Sequence, residues 1–231
     1  MNRPSIARAR AFVSRHLWSL SLVGVSTFCF VRLASEMREG DVDVLDRWVE
    51  SVVDAWRGSF DWPMVALTTL GDVGGMSAFG AAITAALVIK GRRRETLYFV
   101  LCSGGGLLLN LILKTAFHRA RPPADLVYHL PQPPSFSFPS GHSMGSAAVL
   151  SSAVIVLYAL KMGRPVRFVA AIAAALTWAG VATSRVYFGA HYPSDVVGGA
   201  LAAAAWVSAV TGWIYPAALP HEHVVHPLRP V

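Results

Sequence analysis

Two stretches of this chain combine basic residues and histidines with few acidic residues. Only Asp125 and Asp195 are available there as acids. Cations without matching carboxylates, beside several histidines, indicate an anion-binding site that also holds proton-transfer groups. The alternative is that lysine and arginine side chains reach toward lipid headgroups at a membrane surface. The basic residues are Lys114, Arg119, Arg121 and Arg185, and the histidines are His118, His129, His142 and His191.

Five of the residues in these stretches are suited to bind phosphate, which brings about two negative charges as a monoester. Lys114 supplies a point charge, while Arg121 and Arg185 can each bind two oxygens through a planar guanidinium. Ser140 and the Gly141 N–H group lie where a helix is predicted to begin. The free N–H groups and the positive dipole end of such a helix attract anions, and glycine lets the backbone approach a ligand closely.

These residues fall into three sequence motifs, at 114–122, 139–142 and 184–195. In this order the segments match K-x6-R-P, P-S-G-H and S-R-x5-H-x3-D without a gap. The chain therefore resembles the type 2 phosphatidic acid phosphatase superfamily, with a motif region covering 114–195. The resemblance implies a membrane enzyme that hydrolyses a phosphomonoester or diphosphate on a lipid.

The resemblance also implies separate roles for two histidines. His191 would attack phosphorus and form a phosphohistidine. Asp195 would accept a hydrogen bond from the other ring nitrogen of His191 and fix its tautomer. His142 would protonate the leaving alkoxide and then activate the water that clears the intermediate.

Acidic residues near the motifs are too few for a two-metal phosphatase, which needs several clustered Asp, Glu and His ligands. We therefore expect no metal ion and no other cofactor, with the motif cations neutralising the phosphate. The C-terminal tail could bind a metal, but we favour a solvated tail. Its candidate ligands are His221, Glu222, His223 and His226.

The composition is that of a membrane protein. Of 231 residues, 54% are hydrophobic and 14% are charged, and the mean hydropathy is +0.49; an average soluble domain has about 25% charged residues. The net charge of +7 raises nucleic acid as a partner, but the basic residues form short clusters between apolar runs, as in membrane proteins. We expect a bilayer and a phosphorylated lipid as partners and no nucleic acid, and the oligomeric state stays open.

Apolar runs predict an all-α fold of six transmembrane helices, in one domain over 1–231. A basic segment, 1–16, precedes the first run at 17–34. We interpret this run as an uncleaved span, because it is long for a signal peptide and lacks an Ala-x-Ala site. Each run is near the roughly 20 residues that a bilayer requires. The other predicted spans are 64–89, 96–115, 143–160, 167–186 and 194–214.

A segment at 41–57 predicts an external amphipathic helix instead of a span. Its apolar residues recur at helical spacing between charged ones. Such a helix would lie on the outer interface of the membrane, or alternatively pack on the external loops. The apolar positions are Leu45, Trp48, Val49, Val52 and Trp56.

Basic clusters predict the orientation of the spans. Twelve of the twenty Lys and Arg residues lie in the N-terminal segment, two loops and the tail at 216–231, which six spans place on one side. The positive-inside rule makes that side the cytoplasm. The opposite side holds 35–62, with eight acids and three bases, and the motif loops. We therefore expect cytoplasmic termini and a periplasmic or extracellular site in a bacterial plasma or inner membrane.

Three other functions fit the sequence less well. Vanadate-dependent haloperoxidases have a similar anion pocket but resemble soluble helical proteins. A transporter or lipid-flipping protein would need ionisable residues deep inside the spans. The charged residues lie at the span ends instead, except for Asp72, whose depth in the bilayer is open. A binding or scaffold protein gives no reason for the spacing of the motif histidines. Within the superfamily, the candidate substrates are phosphatidic acid, phosphatidylglycerophosphate, undecaprenyl diphosphate and lipid A phosphates.

Overall fold

The computed structural model describes residues 3–123, 128 and 134–215, with side chains from His16 onward. In this part of the chain all regular structure is helical, which confirms the predicted all-α class. The helices are α1 (Arg3–Glu39), α2 (Asp43–Asp54), α3 (Asp61–Gly71), α4 (Val73–Ile89), α5 (Arg93–Phe117), α6 (Gly141–Ala159), α7 (Arg164–Tyr187) and α8 (Pro193–Ile214).

Five helices are long and apolar enough to cross a bilayer: α1 from His16 onward, α5, α6, α7 and α8. They have 19 to 25 residues each, close to the number that spans about 30 Å of hydrocarbon. The bent pair α3 and α4 makes a sixth span if the two helices are counted together. The protein is therefore a multi-pass membrane protein, as the composition predicts.

The predicted span at 64–89 consists of two helices and not of one continuous helix. α3 and α4 are bent by 56° relative to each other. Between them Asp72 has an extended backbone, and its carboxylate accepts a hydrogen bond from the Gly75 N–H at 2.6 Å. This bond caps the start of α4, since it satisfies an N–H group that a new helix leaves free. The break arises because Asp72 stabilises a helix start where the sequence suggested a helix interior.

The external amphipathic helix predicted at 41–57 corresponds to α2. Its apolar residues Leu45 and Trp48 are 60% and 63% exposed, whereas Asp46 on the opposite side is 2% exposed. α2 contacts α7 and α8 through this buried side. The helix therefore packs on the bundle through a face that includes a carboxylate, and presents apolar side chains outward.

Close packing of α6 against α8 brings two of the motifs together. A Cβ atom on Gly199 would lie 2.7 Å from the Ser140 carbonyl oxygen, so only glycine allows the two helices to approach this closely. The Ser140 N–H donates to the Asp195 carbonyl oxygen at 2.9 Å. The start of α6 is thus joined directly to the start of α8.

Candidate active site

One end of the bundle gathers the three motifs around a cavity of about 660 Å³. The motif residues reach it from the C-terminal ends of α5 and α7, the N-terminal end of α6 and the adjoining loops. Ser140 and Asp195 lie behind the cavity wall and are fully buried. The predicted site residues that line the cavity are Lys114, Arg121, Gly141, His142, Arg185 and His191.

The His191 ring lies between an acidic and a basic side chain. Its Nδ1 is 3.4 Å from Asp195 Oδ2, and its Nε2 is 3.3 Å from Arg121 Nη1. Burial lowers the pKa of His191 to about 4, although Asp195 acts in the opposite direction. The ring is therefore neutral at pH 7. If Nδ1 carries the proton toward Asp195, Nε2 has a free lone pair, which a nucleophile needs.

The Asp195 carboxylate divides its hydrogen bonds between its two oxygens. Oδ1 accepts from Arg119 Nη1 at 2.6 Å. Oδ2 accepts from the Tyr192 N–H at 3.0 Å and from the Ser137 hydroxyl, and the same oxygen faces His191. Partners on both oxygens fix the plane of the carboxylate, so that it can orient the His191 ring and balance positive charge on it.

Arg121 and Lys114 hold the loop that precedes α6. Arg121 donates from Nε to the Ser135 carbonyl at 2.8 Å and from Nη1 to the Ala190 carbonyl at 2.7 Å. Lys114 Nζ donates to the Ser137 carbonyl at 3.4 Å. Neither cation has a carboxylate within salt-bridge distance in the described part of the chain. Their charges are therefore available to an anion in the cavity.

Arg185 is a buried guanidinium with an unused donor. It is 6% exposed, and its Nη1 donates to the Thr68 hydroxyl of α3. Its Nε has no hydrogen-bond partner among the described residues. A buried N–H group without a partner is costly, and a phosphate oxygen bound in the cavity would satisfy it.

Of the three predicted site residues at the start of α6, two line the cavity and one does not. Ser140 Oγ accepts from the Ser143 N–H at 3.5 Å, so the serine hydroxyl caps the helix and does not line the cavity. Gly141 does line it, and a Cβ atom there would lie 3.1 Å from Asn110 Oδ1. The His142 ring also lines the cavity and makes no hydrogen bond to any described residue, so it is free to exchange protons with a ligand.

The sequence model of the PAP2 superfamily matches residues 95–218, a little over half of the chain. The chain belongs to the PAP2 superfamily. The matched region contains all three motifs, all but the first two residues of α5, and the helices α6 to α8. The resemblance inferred from the motifs is confirmed.

Named relatives of this PAP2 protein act on phosphorylated lipids. Phosphatidylglycerophosphatase B of Bacillus subtilis (strain 168) is 34% identical over 59% of this chain and 66% of the relative. Lipid A 1-phosphatase of Rhizobium etli is 40% identical over 48% of this chain and 45% of the relative. The alignments thus span less than two thirds of each relative's length.

A solved structure has the same fold. The crystal structure of a transmembrane PAP2 type phosphatidylglycerolphosphate phosphatase from Bacillus subtilis matches with a TM-score of 0.72 at 28% identity. The match covers 83% of this chain and 94% of that chain. It confirms the helical membrane architecture.

Two residues of the PAP2 site, Arg119 and Asp46, have contacts that the sequence does not predict. Arg119 is one of the four cations of the motif stretches, and its Nη1 donates to Asp195. Its Nη2 also donates to Asp46 Oδ2 at 3.0 Å. Arg119 and Asp46 are 73 positions apart, and Asp46 belongs to the charged positions of an amphipathic pattern. The residue type and the sequence position of Asp46 therefore do not indicate that it belongs to the site.

The described residues include no group of three or more His, Cys, Asp or Glu side chains that could hold a metal ion. The histidines of the tail at 216–231 lie outside the described residues, as do Asp125 and His129.

Proposed function

We propose that this PAP2 protein is a membrane lipid phosphatase that forms a phosphohistidine on His191. The observation that carries the proposal is the His191 ring, with Nδ1 facing Asp195 and Nε2 at the cavity. Three motif cations line that cavity: Lys114, Arg121 and Arg185. The names of the relatives support a lipid phosphomonoester or diphosphate as the substrate.

In the first step, His191 Nε2 attacks phosphorus. A P–N bond forms while the bond from phosphorus to the leaving oxygen breaks. The motif cations stabilise the charge on the non-bridging oxygens, which is the main contribution of a protein to phosphoryl transfer. Protonated His142 gives its proton to the leaving oxygen, and Asp195 balances the positive charge on the His191 ring.

In the second step, water clears the intermediate. Neutral His142 accepts a proton from the water as its oxygen attacks phosphorus. The P–N bond breaks, its electron pair returns to Nε2, and inorganic phosphate leaves the cavity. His191 is then neutral again and His142 is protonated for the next turnover.

We further propose that the site faces the periplasm or the cell exterior, with both termini in the cytoplasm. The cavity lies at the end of the bundle where α5 finishes and α6 begins. The turns after α4 and α6 lie at the opposite end, and they carry Lys90, Arg92 and Lys161. The positive-inside rule supports this orientation.

Phosphate release by the purified protein in detergent tests the activity. The panel contains phosphatidic acid, phosphatidylglycerophosphate, lipid A phosphate and undecaprenyl diphosphate. We expect hydrolysis of at least one lipid in EDTA without added magnesium, and inhibition by orthovanadate. An absolute magnesium requirement would contradict the mechanism. Failure on every lipid, with transport into liposomes instead, would support the transporter alternative.

A matched pair of histidine variants provides the control. His191→Asn should abolish hydrolysis. His118→Asn should retain it, because His118 ends α5, contacts the Phe136 ring and does not line the cavity. Asparagine also tolerates the left-handed backbone of His118, with φ of 52°.

The roles of the two histidines can be separated by trapping the intermediate. His142→Ala should hydrolyse lipid phosphates slowly, because the leaving oxygen lacks a proton donor. A labelled aryl phosphate has a good leaving group and should still phosphorylate this variant. After an alkaline quench, we expect acid-labile label on the peptide containing His191. Label on the His142-containing peptide of the wild-type protein, or full activity of His191→Ala, would refute these assignments.

A further inference from the structure

Asp46 is a buried carboxylate on α2, a helix whose residues are mostly exposed. It is 2% exposed, and its Oδ1 accepts from the Ser194 N–H at 2.8 Å. Its Oδ2 accepts from the Ser194 hydroxyl at 2.5 Å and from Arg119 at 3.0 Å. Burying a carboxylate is costly unless its charge is paired and its oxygens are bonded. These contacts join α2 to the start of α8.

Arg119 bridges Asp46 and Asp195. Its Nη1 donates to Asp195 Oδ1 at 2.6 Å and to the Ser194 hydroxyl at 2.7 Å, while Nη2 donates to Asp46. The guanidinium carbon lies 4.2 Å from the centre of the Tyr192 ring. The Arg119 side chain is 13% exposed. The guanidinium is therefore held in one orientation by contacts on several sides.

This bridge holds the oxygen of Asp195 that faces away from the nucleophile. Arg119 occupies Oδ1, which leaves Oδ2 directed at His191. Without Arg119, Oδ1 would lose its donor, and the plane of the carboxylate would be held only by the Tyr192 N–H and the Ser137 hydroxyl at Oδ2. The orientation of the His191 ring therefore depends on Arg119.

The bridge also contributes to the charge that His191 experiences. Asp46 and Asp195 each contribute one negative charge and Arg119 one positive charge, so these three groups leave a net charge of −1 on the Nδ1 side of the His191 ring, opposite Arg121 at Nε2. That ring becomes positively charged when it is phosphorylated. If Asp46 were neutral, the Arg119 cation would cancel the charge of Asp195 and the ring would lose this balance.

We propose that Asp46 and Arg119 are positioning residues for phosphoryl transfer, and that α2 completes the active site by holding Arg119 on Asp195. The inference rests on the proposed function, because it assigns the helper groups of the same nucleophile. Neither residue lines the cavity. They should therefore affect the chemical step and leave phosphate binding intact.

Two conservative variants test this inference with an aryl phosphate substrate. Asp46→Asn removes the charge at constant size, and Arg119→Lys keeps the charge but loses the two-pronged geometry. We expect kcat to fall about tenfold or more in each, because both remove stabilisation made mainly in the transition state. KM and the inhibition constant of inorganic phosphate should stay within about threefold, since the cavity cations are unchanged.

The control is Asp54→Asn, the same substitution on the same helix. Asp54 is exposed and pairs with Arg57 at 2.9 Å, away from the cavity. It should retain wild-type kcat. The double variant Asp46→Asn with Arg119→Lys should lose little more than Arg119→Lys alone, because Asp46 acts through Arg119.

The possible results separate this inference from the proposed function. An active wild type whose kcat survives both substitutions would overturn the inference alone. Loss of phosphate binding together with kcat would also overturn it, because α2 would then support only the fold. An inactive wild type would overturn the proposed function, and this inference with it.

Discussion

Arg121 uses its guanidinium N–H groups to connect three parts of the site. It donates to the backbone and the hydroxyl of Ser135, to the Ala190 carbonyl, and lies next to His191 Nε2. The directions of these contacts match a planar fork and not a single ammonium. Arg121 therefore both orients the loop before α6 and presents charge to the anion.

Replacing Arg121 with lysine should reduce activity sharply even though the charge is kept. Lysine cannot make these contacts together, and we expect kcat/KM to fall about 100-fold or more, as when one preorganised donor to a transition state is removed. Steady-state hydrolysis of an aryl phosphate measures the effect. Arg47→Lys, at an exposed position of α2, is the matched control. Near-normal turnover of Arg121→Lys would exclude Arg121 as a phosphate ligand.

Glu50 on α2 should make stability depend on pH. Burial raises its pKa to about 7, with Asp46 and Asp54 adding to the effect and Arg119 and Arg57 opposing it. The folded protein then binds more protons than the unfolded chain between pH 4.5 and 7, so the free energy of unfolding falls as pH rises through this window.

Glu50→Gln removes this pH dependence. The variant should melt at a higher temperature than the wild type at pH 8, and the difference should shrink toward pH 5. Thermal unfolding in detergent at several pH values measures it. A constant difference in melting temperature from pH 5 to 8 would show that Glu50 has no raised pKa.

The types and the spacing of the motif residues predicted that these residues would come together. Lys114, Arg121 and His191 lie at fixed spacings and line one cavity, as expected from the three motifs. Ser140 shows the limit of this reasoning, since a serine before a helix can bind an anion or cap the helix, and here its hydroxyl caps α6. Asp46 could not be predicted, because its partners are 73 and 148 positions away.

At the level of elements, the break between α3 and α4 shapes one wall of the site. Asp72 lines the cavity, and Thr68 near the end of α3 accepts a hydrogen bond from Arg185. α3 packs closely on α7, since a Cβ atom on Gly180 would lie 2.8 Å from Leu67 Cδ2. The position of the break therefore places the Thr68 hydroxyl beside the buried Arg185 guanidinium.

Loss of the Asp72 cap should destabilise the protein. Asp72→Ala removes the bond to the Gly75 N–H, and a lost cap typically costs about 1 kcal/mol. We expect the melting temperature in detergent to fall by about 2–4 °C, the shift that such a loss causes in a chain of this size. Asp72→Asn keeps a capping oxygen and should remain close to the wild type. Equal melting temperatures for all three proteins would show that the cap does not stabilise the break.

Hydropathy predicted the existence of the spans better than their shape. The predicted edges of the last three spans lie within three residues of α6, α7 and α8, because long apolar runs in a bilayer form helices. The break at Asp72 was missed, because an average over some 20 residues, the length of a span, hides one polar residue. The environment that turns Asp72 into a cap, including the packing of α3 on α7, is set by distant parts of the chain.

For the whole molecule, two groups of basic residues lie at opposite ends of the bundle. One group, Lys114, Arg119, Arg121 and Arg185, belongs to the candidate site. The other lies in the turns between α4 and α5 and between α6 and α7. The net charge of the chain does not distinguish the two ends of the bundle. The acidic segment at 35–62 does distinguish them, because it lies at the site end. Among the described residues, the carboxylates of 35–62 lie at the site end, whereas Glu95 is the one carboxylate beside the basic turns at the opposite end.

Cysteine labelling in intact cells tests this orientation. In a background without the native Cys29 and Cys102, Ser59→Cys places a thiol at the site end, where the α2–α3 connection is exposed. Met162→Cys places one at the other end, in the turn after α6, where Met162 is 41% exposed. If the basic turns face the cytoplasm, an impermeant maleimide should label Cys at position 59 in intact cells or spheroplasts. It should label Cys at position 162 only after the membrane is opened, since both positions are solvent-accessible and the bilayer is the only barrier. The reverse pattern would place the candidate site in the cytoplasm, and the source of its lipid substrate would change from the outer to the inner leaflet.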